Sequence, residues 1–303
     1  MNRLRADLLL LLVACIWGAA FIAQKQANEN MGPVSFVGLR FLLSWMMLAP
    51  VAFYEHVKNG RRPLRGADVA LAGLIGLCLF AGASLQQMGL VATTATNGGF
   101  LTALYVILVP VIVWAVTGAR PRGMVLFASL LSIAGSWLIT ETGHFEQWSR
   151  GDALILIADV AWAGAISLAP IFLSRTDRPF FLAFTQYGVT AVLGLMIGLG
   201  SEPLSSEGVI AALPSIFFAG LCSGGFAYTL QILAQRYTPP AEAALILSLE
   251  SVFAALSGAI LLSERLTGSA FLGCALILLG VILAEAAATL RAIRFRVRRR
   301  TPG

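Results

Sequence analysis

Charge is what this sequence has least of. Only 12% of its 303 residues are Asp, Glu, Lys or Arg, about half the roughly 25% that a soluble domain carries. Histidine is scarcer still, with two, His56 and His144, both in short polar connections. The four cysteines, Cys15, Cys78, Cys222 and Cys274, stand singly inside apolar runs, where a free thiol packs as a small hydrophobe. No metal site, disulfide framework or cofactor is expected. The chain also lacks a phosphate-cradling glycine loop and a nucleophile set beside a base, so a catalytic reading has no residues to stand on. What fills the space is apolar: 58% hydrophobic residues and a mean hydropathy of +0.84 put the chain in a lipid bilayer. A net charge of +6 and an isoelectric point near 9.5 would suit nucleic acid. The basic residues, however, lie in short connections and at the ends, as membrane topology requires, and no nucleic-acid partner is expected.

Crossing roughly 30 Å of hydrocarbon takes about 20 residues of helix. Ten apolar runs are close to that length: 6–25, 34–54, 68–90, 96–116, 123–140, 152–173, 179–199, 209–233, 242–262 and 269–289. Turn formers and charge separate them at Met31-Gly32-Pro33, Gly60 to Pro63, Arg120-Pro121, Asp177 to Pro179, Glu202-Pro203 and Pro239-Pro240. Backbone groups in lipid must be satisfied within the chain, and the short alternating segments of a barrel are missing, so the spans are helices. The fold class is an all-α membrane protein with ten transmembrane helices. With the amino terminus inside, seventeen Lys and Arg fall on the inner side, from Arg3 and Arg5 to the tail arginines, against Lys25, Arg150 and Arg265 outside. That bias places both termini in the cytoplasm and the protein in the inner membrane.

The chain is written twice. Arg5, Asp7, Leu9, Leu11, Trp17 and Ala20 reappear as Arg150, Asp152, Leu154, Leu156, Trp162 and Ala165, a shift of 150 − 5 = 145. Leu85-Gln86 with Thr93 maps onto Leu230-Gln231 with Thr238, and Gly123 and Gly135 map onto Gly268 and Gly280 at the same shift. The basic start before Leu8 could open a signal peptide, but its internal copy at 152–174 cannot, so the first run is a membrane helix. The expected domains are 1–145 and 146–290, each a five-helix repeat, followed by a basic cytoplasmic tail, 291–303. An odd number of spans per repeat makes the two copies inverted. That plan recurs in secondary transporters, whose site lies near the midplane between the halves.

Several stretches resemble a known family. Phe36-Val37-Gly38-Leu39-Arg40-Phe41, Gly98-Gly99-Phe100-Leu101-Thr102 through Val109-Pro110, and Ser263-Glu264-Arg265-Leu266-Thr267 with Gly273 to Gly280 are similar to the drug/metabolite transporter superfamily. Within it the EamA branch is the best match. The resemblance spans nearly the whole chain and implies tandem domains and transport of a small molecule, amino acids or other metabolites. In general character the chain is similar to exporters of aromatic amino acids. It departs from the family pattern at Ala119, where the first repeat often has the Glu kept at Glu264, and at Ser251, where Pro is frequent.

Polar groups in mid-span serve a cavity or bind helices together. Gln86 and Gln231 are matched by the duplication, and a carboxamide suits a polar or zwitterionic metabolite as well as an interhelical hydrogen bond. Trp17 and Trp162 are matched too, and sit away from the interfacial aromatic belt, as a cavity wall or as packing. Tyr105 and Tyr228 are further candidates to line the route. Arg40, Asp159 and Glu250 are the charges within spans. Arg40 is either a carboxylate anchor or half of a structural ion pair. Asp159, three residues before Trp162, is placed on the same helix face and, like Glu250, could exchange a proton. Neither acid recurs at the 145-residue shift, which predicts transport driven by the substrate's own gradient, with neither indispensable as a coupling group. The expected partners are a small-molecule substrate, an amino acid by preference, and the bilayer. No feature sets an oligomeric state, and a monomer is compatible with the sequence. The competing function, a membrane scaffold or an enzyme acting on lipid-linked sugars, needs loops longer than these.

Overall fold

A computed structural model describes residues 1–58, 64–139, 149–261 and 266–300, without the side chains of 288–289 and 291–300. The turn at Gly60 to Pro63, His144 and the Ser263-Glu264-Arg265 motif lie outside the described residues, and the tail arginines are described only by their backbone.

The described chain is helical. In order it forms α1 (Arg3–Ala27), α2 (Pro33–Lys58), α3 (Gly66–Ala92), α4 (Ala95–Thr102), α5 (Tyr105–Thr117), α6 (Gly123–Ile139), α7 (Arg150–Thr176) and α8 (Pro179–Ser201). α9 (Ser206–Phe217) runs through a π-helical segment (Phe218–Tyr228) into α10 (Thr229–Ala234), followed by α11 (Pro240–Leu247), α12 (Glu250–Leu261) and α13 (Gly268–Arg300). Among the described residues nine helical stretches are long and apolar enough to cross a membrane, and Gly123–Ile139 is a shorter apolar helix. This is a multi-pass membrane protein. Two expected spans differ in detail, since 96–116 and 242–262 are each broken into two helices. A third, 209–233, is wound in part as π-helix.

Element limits recur at the spacing of the sequence duplication. α4 and α11 begin at Ala95 and Pro240, α5 and α12 at Tyr105 and Glu250, and α6 and α13 at Gly123 and Gly268.

α2 lies along α8, α3 along α7 and α6 along α13. Lipid supplies no hydrophobic drive for such pairs, so close backbone approach and polar bonds hold them. A β-carbon at Gly38 would stand 2.6 Å from the Leu195 nitrogen and 2.8 Å from the Gly194 carbonyl carbon, so α2 and α8 meet only because both positions are glycine. The same pair is tied at both ends by carboxylates on helix N-termini. Glu202 accepts from the Val34 and Ser35 amides at 2.9 and 2.8 Å, and Glu55 from those of Phe180 and Phe181 at 3.3 and 2.8 Å. Each satisfies donors that a helix start leaves open.

Two polar lattices sit at opposite ends of α1. At its start Asp7 accepts from the Thr238 hydroxyl at 2.7 Å. Beside it Arg3 reaches Glu285 at 2.9 Å and Glu242 at 3.9 Å, and Arg122 donates to Glu242 at 2.9 Å. At its far end Lys25 donates to the Leu90 and Thr93 carbonyls at 2.8 Å, capping α3. There Asn97 donates to Thr93 at 2.6 Å and to Asp152 at 2.9 Å. Asp7 and Asp152, Thr238 and Thr93, and Glu242 and Asn97 are each 145 apart: the same duplicated positions build both ends, with arginine–carboxylate ion pairs at one and hydrogen bonds from Lys25 and Asn97 at the other.

Candidate functional site: a central polar cavity

Between the lattices lies a cavity, about 640 Å³ of space when the open solvent at its mouth is included. α1 contributes Trp17, Phe21 and Gln24, α3 Leu79 and Gln86, and α7 Trp162, Ala165, Ile166 and Ala169. The broken helices supply Thr102, Tyr105 and Glu250, and Tyr105 and Glu250 are the first residues after their respective breaks. Arg40 and Gln186 enter from α2 and α8, and Ser223, Tyr228, Gln231 and Gln235 from the α9–α10 stretch and its end.

Aromatic rings form one wall. Tyr228 sits between the two matched tryptophans, 4.5 Å from Trp17 and stacked at 5.8 Å and 14° on Trp162. Trp162 is seated because position 82 is glycine; a β-carbon there would lie 2.9 Å from the indole. The π-helical segment shapes the wall further. Its wider winding displaces backbone hydrogen bonds, and the Ser223 carbonyl accepts from the Trp17 indole at 3.2 Å. The Trp162 indole N–H has no partner among the described residues.

The polar side is unevenly satisfied. Gln86 donates to the Thr102 hydroxyl at 2.8 Å, and Gln235 to the Ile166 carbonyl at 3.1 Å. Gln231 makes no side-chain hydrogen bond with another described residue. The Tyr105 hydroxyl faces the Glu250 carboxyl without closing a hydrogen bond, and the Glu250 Oε1 has no partner among the described residues. Both sides of this encounter are fully enclosed, Tyr105 at 2% and Glu250 at 3% exposure.

The structure therefore brings Trp17, Gln86, Trp162, Gln231, Tyr105, Tyr228, Arg40 and Glu250 to one cavity. Asp159 is not on its wall. A step of three residues on an α-helix leaves an offset of about 60°, enough to turn Asp159 away while Trp162 faces in. Asp159 is buried, within electrostatic reach of Glu250 and Tyr105, and neither of its oxygens has a hydrogen-bond partner among the described residues. Nor is the expected ion pair of Arg40 present among the described residues; the guanidinium instead lies over the Phe36 and Phe41 rings at 5.4 and 5.1 Å. Sequence reasoning passed over Gln235 and Thr102. Gln235 follows Gln231 by one helical turn, a signal of a shared face. Thr102 carried none beyond its motif.

A bundle of apolar helices around a buried polar cavity fits a membrane protein that handles a small molecule. The family model for the EamA-like transporter family matches residues 4–141 and again 149–285, and the chain belongs to that family. An uncharacterized transporter of Archaeoglobus fulgidus is 33% identical over 93% of this chain and 86% of its own length. The uncharacterized transporter YwfM of Bacillus subtilis is 30% identical over 93% of this chain and 94% of its own. A probable amino-acid metabolite efflux pump of Escherichia coli is 27% identical over 91% and 93%. A solved crystal structure shares the fold with a TM-score of 0.74 at 19% identity, over 95% of this chain and 99% of that one. Family and relatives are named as transporters, not enzymes.

Proposed function

We propose that the protein exports small metabolites, amino acids foremost and aromatic ones among them, by alternating access across the inner membrane with both termini in the cytoplasm. One observation carries this reading: the residues matched by the duplication, Trp17 with Trp162 and Gln86 with Gln231, converge on one cavity. The lattices at its two ends are built from matched positions as well. In two inverted five-helix repeats, 1–145 and 146–290, such lattices are alternate gates, and exchanging which one is closed exposes the cavity to one side and then the other. The aromatic wall favours an apolar side chain, and the glutamines favour a polar head. The name of the E. coli relative, an amino-acid metabolite efflux pump, supports the same class. Export of other metabolites or of drugs is the second reading, which the same aromatic wall would serve. Counterflow in proteoliposomes with a panel of labelled amino acids and unrelated metabolites separates them. Exchange confined to amino acids supports the first reading, and exchange confined to other compounds replaces it with the second.

A further inference from the structure

Arg40 is a buried guanidinium without an acid. It is 3% exposed and forms no ion pair with a described residue, and its Nε has no hydrogen-bond partner among them. Glu250 is in the mirror situation, 3% exposed with an unpartnered oxygen and no base beside it among the described residues. Burying an ion alone is strongly unfavourable. Two side chains of opposite sign, both left incomplete on one cavity wall, are accounted for by a ligand that completes both. Their arrangement says more. Tyr228 is within electrostatic reach of Arg40 and of Glu250, yet the two ions do not pair with each other. The cavity thus has a cationic and an acidic pole, with Tyr228 between them in the aromatic wall.

We propose that the cavity recognises a zwitterion by both ends at once, its carboxylate on the Arg40 guanidinium, its ammonium on Glu250, and its side chain against Trp17, Tyr228 and Trp162. This rests on the cavity being the transport site and adds how it chooses. The planar guanidinium suits a carboxylate as a two-point contact. At the other pole the ammonium donates to the Glu250 oxygen that lacks a partner, with the Tyr105 hydroxyl oxygen as a second acceptor. A molecule with one end missing leaves Arg40 or Glu250 buried without a partner, which is a penalty and not merely a lost gain. The site therefore discriminates amino acids from their decarboxylated and deaminated counterparts.

The test uses the full chain, purified in detergent, and three ligands of one shape: phenylalanine, 2-phenylethylamine, which lacks the carboxylate, and 3-phenylpropionate, which lacks the amine. Calorimetric titration should show either truncated compound binding at least about 100-fold more weakly than phenylalanine, the discrimination expected of a site with buried polar partners. In Arg40→Gln the gap between phenylalanine and phenylethylamine should close to within tenfold; in Glu250→Gln the gap to phenylpropionate should close instead. Arg40→Lys keeps the charge and should keep the preference for a carboxylate, which guards against a variant that merely folds poorly. This crossed pattern is one that general destabilisation cannot produce. Equal binding of all three ligands by the parent, or uniform weakening of all three in both variants, overturns the inference. If phenylalanine still exchanges across proteoliposomes in that case, the transport reading survives; if no amino acid binds or exchanges, both fall.

Discussion

Glu242 offers the sharpest perturbation of the proposed gates. It accepts from Arg122 at 2.9 Å and lies 3.9 Å from Arg3, and it is 2% exposed while the Arg3 and Arg122 side chains are 34% and 53% exposed. Water therefore screens both pairs, and each contributes about 0.5–1 kcal/mol. Glu242→Ala removes both and lets the arginines hydrate, so the closed form of that end loses about 1–2 kcal/mol, a shift of roughly 5–30-fold in the closed-to-open ratio. Its counterpart Asn97 holds the Thr93 hydroxyl and the Asp152 carboxylate by two hydrogen bonds, about 0.6 kcal/mol each on the average for membrane proteins. Asn97→Ala should shift the other end by roughly eightfold. The assay places one cysteine at Gln235 or at Gln24, on the cavity wall toward the two respective ends, after replacing Cys15, Cys78, Cys222 and Cys274. A membrane-impermeant maleimide is added from either side of oriented vesicles. Glu242→Ala should speed labelling at 235 and slow it at 24, and Asn97→Ala should do the reverse. If both substitutions move both positions in the same direction, the two lattices are not alternate gates.

Three further outcomes follow from the same geometry. Gln86→Leu and Gln231→Leu should both lower transport, but thermal unfolding in detergent should report a loss of about 1 kcal/mol only for Gln86, which is bonded to Thr102; equal losses would make both structural ties. Trp17→Phe should lower stability by about 1 kcal/mol through the lost bond to Ser223, while Trp162→Phe, which removes an N–H without a partner, should leave it unchanged or raised. An imposed pH gradient should not drive accumulation in proteoliposomes. Accumulation that Asp159→Asn abolishes while counterflow persists would instead name the coupling residue and end the facilitative account.

Much of the fold was legible because a bilayer imposes length and apolarity on every span, and the structure keeps the 145-residue shift of the duplication in the helix starts at Ala95 and Pro240 and at Tyr105 and Glu250. The breaks before Tyr105 and Glu250 were hidden, since Ala103-Leu104 and Ser248-Leu249 carry no proline or glycine to mark them. The π-helical stretch left only a trace, the small residues Ser223, Gly224 and Gly225 inside it. For the cavity, matching across the duplication selected Trp17, Trp162, Gln86 and Gln231 without any knowledge of facing. Facing is also where sequence failed. Asp159 and Trp162 are close enough in register to look like one face, and only packing decides which of them meets the cavity. Arg40 read either as a carboxylate anchor or as half of an ion pair, and only the assembled helices show it without an acid among the described residues.

The central claim is that small metabolites cross the membrane through this cavity, and blocking it is the most direct test. Ala165 lies on the cavity wall, and Ala165→Trp would put a large side chain into that space. Proteoliposomes carrying the parent protein should exchange labelled phenylalanine or another amino acid well above protein-free vesicles. The Ala165→Trp variant, folded with a thermal midpoint near that of the parent, should not. Equal exchange by both proteins would contradict the account, because the route would then lie elsewhere.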